Sequence, residues 1–260
     1  MIRRLGFSFQ LGLTFSSPVY CHRFTLRCMP QTTPLQKPED VNISLEPFCP
    51  YWIAEDYSGL KLLGFVKDEH TALQLTVSGT VANEDPEKGL PLLSGEPLGA
   101  FALQTPLTAP GPALLALGSM LPGVSDAGTM APAVMDLLAE RFRYTPGATK
   151  SGTTAEAAAA ALRGVCQDET HIMLSLLRLR GIPCRYVVGF MAGEGASHAW
   201  VELLLDGRWQ GYDPTNHRMI TSDYIRVSHG RDANDCPLNR GLFTGTAVQS
   251  GSSTAQVWEV

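Results

Sequence analysis

Long apolar stretches are what this sequence most plainly lacks. Nowhere do about 18 apolar residues run together, so neither a transmembrane helix nor a membrane partner is expected. Charge is sparse as well, at 17% of residues with a net charge of −5. That balance argues against a nucleic-acid partner, which would need a basic face. No block of like charge reads as a binding tail. Cysteine amounts to six residues, Cys21, Cys28, Cys49, Cys166, Cys184 and Cys236, and none forms Cys-x-x-Cys. A zinc site is therefore not expected. No run of acidic loop ligands suggests calcium, and nothing calls for another cofactor. A chain of 260 residues can build a core without disulfides. Reduced thiols in a cytoplasm are the expectation, five of them for packing and one for chemistry. No internal repeat is visible. The start, Met1-Ile2-Arg3-Arg4 before an apolar stretch, has the outline of a leader. Polar residues interrupt it, however, and no small-residue cleavage site follows.

What is present is enough apolar residue, 44%, for one or two cored domains. Phe7, Phe9, Leu11, Leu13 and Phe15 alternate as a strand does. Short runs at 22–28, 41–45, 61–66 and 71–77 continue in that style, separated by Pro, Asn, Asp and Gly. This spacing predicts a small β-sandwich. His22 and His70 stand isolated there and read as packing or surface residues. Between Asn83 and Pro112 lie six prolines, Pro86, Pro91, Pro97, Pro106, Pro110 and Pro112, which predict a surface linker. Val134, Leu137, Leu138 and Phe142 predict a helix over 131–142. Thr153 or Thr154 with Glu156 opens a short alanine-rich helix to Leu162.

The chemistry concentrates downstream. From Ile172 to Leu179 nearly every residue is apolar, as in a helix inside a core. Gly181 and Pro183 close it, and Asp168 and Glu169 suit its first turn. Cys166 then sits at the positive end of a helix, where a thiol is readily ionised. Its competing reading is a buried structural thiol, and that is the reading given to Cys184. Residues 183–190, 197–205 and 208–213 read as strands, with Asp206-Gly207 as a two-residue turn between the last two. That turn pairs Leu205 with Arg208 and, counting back, Trp200 with Asp213. His198 and Asp213 become diagonal neighbours on one face, their backbones about 7–8 Å apart. A slip of one residue would separate them. A thiol at a helix mouth, a histidine on a strand and a carboxylate on the next strand make a Cys-His-Asp triad of Cys166, His198 and Asp213. The backbone N–H of Cys166 is a natural oxyanion donor. Gln167 could help shape that pocket or cap a backbone group, and Trp200 could wall the cleft or pack in the core. His171, about 140° around the helix from Cys166, should face away. Asp168 reads as a helix-capping residue, and Glu202, His217 and His229 as structural ones.

The stretches Gly-Val-Cys-Gln-Asp (164–168), Leu-Arg-Gly-Ile-Pro-Cys-Arg-Tyr-Val-Val-Gly (179–189), Ser-His-Ala-Trp-Val-Glu (197–202) and Gly-Tyr-Asp-Pro-Thr-Asn (211–216) resemble the bacterial transglutaminase-like superfamily. Residues 142–147, 152–155, 230–232 and 240–241 fit it too. The resemblance implies an α+β fold: a papain- or transglutaminase-like core, its Cys-bearing helix packed on an antiparallel sheet, behind an N-terminal β-sandwich. The implied divisions are a β-rich domain at 1–90, a linker at 91–128 and a catalytic domain at 129–260. It also implies Cys166 as nucleophile, His198 as base and Asp213 as orienting acid. One departure is Glu169-Thr170, where the family commonly has an aromatic and a small residue. The activity implied is amide chemistry through an acyl-thioester on a peptide, protein or small amide. Water as acceptor makes a cysteine peptidase or amidase, and an amine makes a transglutaminase. The alternative class is a non-catalytic peptide-binding module.

Overall fold

In the computed structural model, which describes residues 2–85 and 89–260, the alternation at Phe7–Phe15 extends into one strand of 25 residues, β1 (Ile2–Leu26). Met1 and Pro86 lie outside the described residues. The next strands are β2 (Gln36–Glu46), β3 (Tyr51–Asp56), β4 (Gly59–Val66), β5 (His70–Glu84) and the short β6 (Leu90–Pro91). β1 is long enough to serve two layers. Its first half, Ile2–Thr14, runs antiparallel to β5, and its second half, His22–Leu26, runs antiparallel to β4. Inward-facing Leu5, Phe7, Phe9, Leu13 and Phe24 meet Leu62, Leu73 and Val77 in one core. His22 and His70 are not isolated. Their rings lie 3.2 Å apart, Nδ1 to Nε2, packed edge-on against Phe15.

The expected linker is not simply draped over the surface. It holds α1 (Leu98–Phe101) and α2 (Pro112–Ser119), and it buries Phe101, Leu114 and Leu117. Pro112 occupies the first turn of α2, where its missing N–H costs nothing. α3 (Ala127–Arg141) starts four residues before the predicted 131, because Asp126 caps it by accepting from Thr129 N–H at 2.8 Å. After β7 (Arg143–Tyr144) comes α4 (Ala155–Ala161), capped by Thr154 as the sequence suggested. Glu156 does more than support its own helix. Its carboxylate accepts from the N–H groups of Gly111, Ala113 and Leu114, capping α2.

β8 (Arg163–Gly164) pairs in parallel with β7 and delivers the chain to α5 (Cys166–Arg178). β9 (Cys184–Met191), β10 (Gly193–Gly195), β11 (His198–Leu205), β12 (Arg208–Asp213), β13 (Arg218–Met219) and β14 (Tyr224–Gly230) follow. A second antiparallel sheet runs β13-β12-β11-β9-β14, with β6 on β12. Ile172, Met173, Leu176 and Leu177 of α5 pack on one face of it against Tyr186, Val188, Val201 and Leu203. At the far end of α5, buried Arg178 donates to the carbonyls of Phe101, Cys184 and Arg231. On the sheet's other face Glu202 pairs with Arg185 at 2.8 Å and with Arg226.

The last two strands return to the first sheet. β15 (Asn239–Thr244) pairs with the second half of β1, and β16 (Gln249–Glu259) pairs with the first. A division at 1–90, 91–128 and 129–260 therefore needs correcting. The N-terminal β-layers are completed by the final residues, which backbone hydrogen bonding places beside β1. Phe190 of β9 stacks on Phe9 at 5.0 Å and joins the two cores. Among the described residues no helix is long and apolar enough to cross a membrane.

Candidate active site

Cys166 is the first residue of α5. The bend before it is held by Asp168, whose Oδ2 accepts from Val165 N–H at 2.8 Å and from the Thr149 hydroxyl at 2.6 Å. Gly164 is required there, since a Cβ would come within 2.3 Å of Asp168 Oδ2. The capping role read for Asp168 is the one it has. The opposing side is built by the β11–β12 hairpin. Asp206 and Gly207 both take positive φ, 50° and 74°, as a tight two-residue turn needs. Leu205 pairs with Arg208 and Val201 with Tyr212. Counted one residue further, that register sets Trp200 opposite Asp213 and His198 diagonal to it.

The result is a hydrogen bond of 2.7 Å between His198 Nε2 and Asp213 Oδ2. The Cys166 thiol lies close enough to the His198 ring to act on its protonation. Burial works to lower the histidine's pKa, but the bonds and charges of Asp213 and Cys166 outweigh it and raise it to about 9. Burial likewise pushes Asp213 up, and its bonds to His198, Asn216 and Tyr224 hold it below the usual range. The carboxylate is fully enclosed. Oδ1 accepts from the N–H groups of Thr215 and Asn216, at 3.0 and 3.1 Å. Oδ2 accepts from Asn216 Nδ2 and the Tyr224 hydroxyl, each at 2.7 Å. Tyr224 in turn accepts from Arg218 Nε at 2.8 Å, and the guanidinium lies over its ring.

The two residues read as shaping the oxyanion pocket or the cleft make other contacts. Gln167 donates its amide to the Ser151 carbonyl at 2.9 Å, pinning the neighbouring loop rather than facing an oxyanion. Trp200 is 1% exposed and sits edge-on under Tyr224 at 5.5 Å, so it supports the triad from behind and does not wall the cleft. The strand's period puts Trp200 on the same face as His198, where it packs against Val187 and Tyr224. His171 faces away from the thiol as expected. It is buried, its Nε2 accepts from Ala233 N–H at 3.2 Å, and burial lowers its pKa to about 4. His217 pairs with Asp136 at the surface, and Asp235 is bound by Arg231 and Tyr57. Tyr224 and Arg218 escaped the sequence reading, because no local pattern marks a contact made 11 residues downstream of Asp213. Asn216 stood inside the quoted motif, and its asparagine type after Asp-Pro-Thr was the available signal for a turn.

The remaining cysteines separate by burial. Cys28, Cys49, Cys184 and Cys236 are buried, and burial raises each thiol's pKa, Cys184 to about 11 and Cys236 to about 12. Cys21 is exposed rather than packed, which corrects the expectation of five packing thiols. Cys166 is half-buried.

A family model described as the transglutaminase-like superfamily matches residues 118–214. An uncharacterized protein of Mycobacterium leprae is 31% identical over 210 residues, covering 73% of this chain and 75% of that protein. An uncharacterized protein of Mycobacterium bovis is 35% identical over 118 residues, 39% of this chain and 38% of its own. Among solved structures, a Cytophaga hutchinsonii protein named "Putative Cysteine Protease" superposes with a TM-score of 0.83 at 18% identity. That superposition covers 100% of this chain and 91% of the other, a likeness of fold.

Proposed function

Because the chain belongs to the transglutaminase-like superfamily, we propose that it hydrolyses an amide bond of a peptide, protein or small amide through an acyl-thioester on Cys166. The observation that carries this reading is the 2.7 Å hydrogen bond between His198 and Asp213, with the Cys166 thiol acting on the same ring. With the His198 pKa raised to about 9, the ring holds a proton at neutral pH and can stabilise a thiolate beside it. The thiolate sulfur attacks the amide carbonyl carbon, a C–S bond forms, and the carbonyl electrons move onto oxygen. The backbone N–H of Cys166, at the open start of α5, is the donor proposed for that oxygen. As the C–N bond breaks, His198 gives its proton to the leaving amine. Neutral His198 then takes a proton from water, the hydroxide oxygen bonds to the acyl carbon, and the C–S bond breaks. Asp213 keeps its charge throughout and orients the ring.

Two points favour water over an amine. The sequence has no run of acidic loop ligands of the kind calcium-regulated cross-linkers use. The name borne by the Cytophaga hutchinsonii structure also points to proteolysis. A half-exposed reactive thiol fits a reducing compartment, and the cytoplasm is the proposed one.

A peptide-amide library incubated with and without a primary amine tests the reading. The expected product is a free carboxylic acid in both arms, abolished in Cys166→Ala. A new amine-linked product as the dominant species would assign acyl transfer instead. Absence of any turnover, with a partner peptide retained equally by Cys166→Ala, would assign a binding module.

A further inference from the structure

The helical turn next to the nucleophile carries a carboxyl that the proposed chemistry does not use. Glu169 follows Cys166 by three residues, so the two share a face of α5. It is 5% exposed. Its Oε2 accepts from the Thr215 hydroxyl at 2.7 Å, which ties it to the turn directly after Asp213. The titratable groups facing it come from every element around the site. They are Cys166 and Asp168 on its own helix, His198 on β11, Asp213 at the end of β12 and Tyr144 on β7. Of these, only His198 can carry positive charge.

Resting on the reading of Cys166 as nucleophile, we propose that Glu169 is a positioning residue that sets the charge balance of the Cys166–His198 pair. In its neutral form it permits a thiolate beside ionised Asp213. In its ionised form it adds a further negative charge to a site with one imidazolium. Like charges one helical turn apart, about 5–6 Å between Cβ atoms, interact strongly enough in a half-screened site to shift a thiolate equilibrium about tenfold. Burial, opposed by the Thr215 hydrogen bond and reinforced by Asp213, raises the Glu169 pKa to about 7. Its proton is therefore exchanged across the neutral range.

The full-length protein and Glu169→Gln are alkylated with iodoacetamide from about pH 5.5 to 9, with Cys166 and Cys21 labelling separated by mass spectrometry. The wild type should show an inflection in the Cys166 rate near pH 7. In Glu169→Gln that inflection disappears, and Cys166 reacts about tenfold faster at pH 8 with little change at pH 5.5. Glu169→Asp should restore an inflection. Thr215→Val, which removes the donor to Glu169 and leaves the carboxyl, should move the inflection to higher pH. Superimposable curves for wild type and Glu169→Gln, with Cys166 faster than Cys21 in both, would overturn this proposal alone. Cys166 no faster than Cys21 in either protein would overturn the nucleophile assignment as well.

Discussion

At the scale of the residue, the site depends on a carboxylate that gives up no proton. Asp213 is held ionised by four neighbouring donors besides His198. Asp213→Asn keeps the size of the side chain but presents an N–H where the ring needs an acceptor. Turnover on any amide the wild type cleaves should fall on the order of 10³–10⁴-fold, with circular dichroism unchanged. The two raised pKa values also predict how stability responds to pH. A group whose pKa is higher folded than unfolded stabilises the fold at low pH, and that contribution is lost as pH rises through the folded value. Glu169, raised to about 7, should lose its contribution between pH 4.5 and 7. His198, raised to about 9, should lose its own between pH 6.5 and 9. Each is worth roughly 3–4 kcal/mol at most. Denaturant midpoints should therefore fall across both windows, and Glu169→Gln should flatten only the lower one. The His198–Asp213 pairing was legible in the sequence, since a two-residue turn and a period of two were enough to place it. Tyr224, Arg218 and Thr215 were not, because their contacts with the triad carboxylate and Glu169 are tertiary and leave no period behind.

At the scale of the element, the hairpin and the bend before α5 share the task of bringing the triad together. Asp206-Gly207 fixed the register in the sequence because positive φ at both positions allows few alternatives. The helix was legible for a similar reason, from its apolar residues and its Gly-Pro stop. Its tight entry was not, because it depends on Asp168 folding back over Gly164. Gly164→Ala should force the Asp168 carboxylate away, uncap Val165 and displace Cys166. The expected cost is about 1–3 kcal/mol in denaturant unfolding, with a larger proportional loss of Cys166 reactivity than of stability. Equal reactivity in a destabilised Gly164→Ala protein would show that the bend does not position the thiol. α2 and β3 were missed, the first because proline density masked a helix that only Glu156 caps from afar.

At the scale of the whole molecule, the N-terminal layers and the catalytic sheet fold as neighbours that lean on each other. β16 covers the first half of β1, and Phe190 joins the two cores. β1, β2, β4 and β5 were readable from alternation. The return of the chain's end was not, because nothing local tells β16 which edge to join. Truncation after residue 245 should expose the edge beside Leu5, Phe7 and Phe9 and yield insoluble or unfolded protein, even though every triad residue is retained. A folded, soluble truncation with native near-UV circular dichroism would contradict that dependence. The central claim, that this fold activates one thiol out of six, is tested most directly by competitive alkylation at about pH 6.5. Iodoacetamide should label half-buried Cys166 at least about tenfold faster than exposed Cys21, and His198→Ala should erase the difference. Equal rates at the two thiols in the wild type would contradict the account.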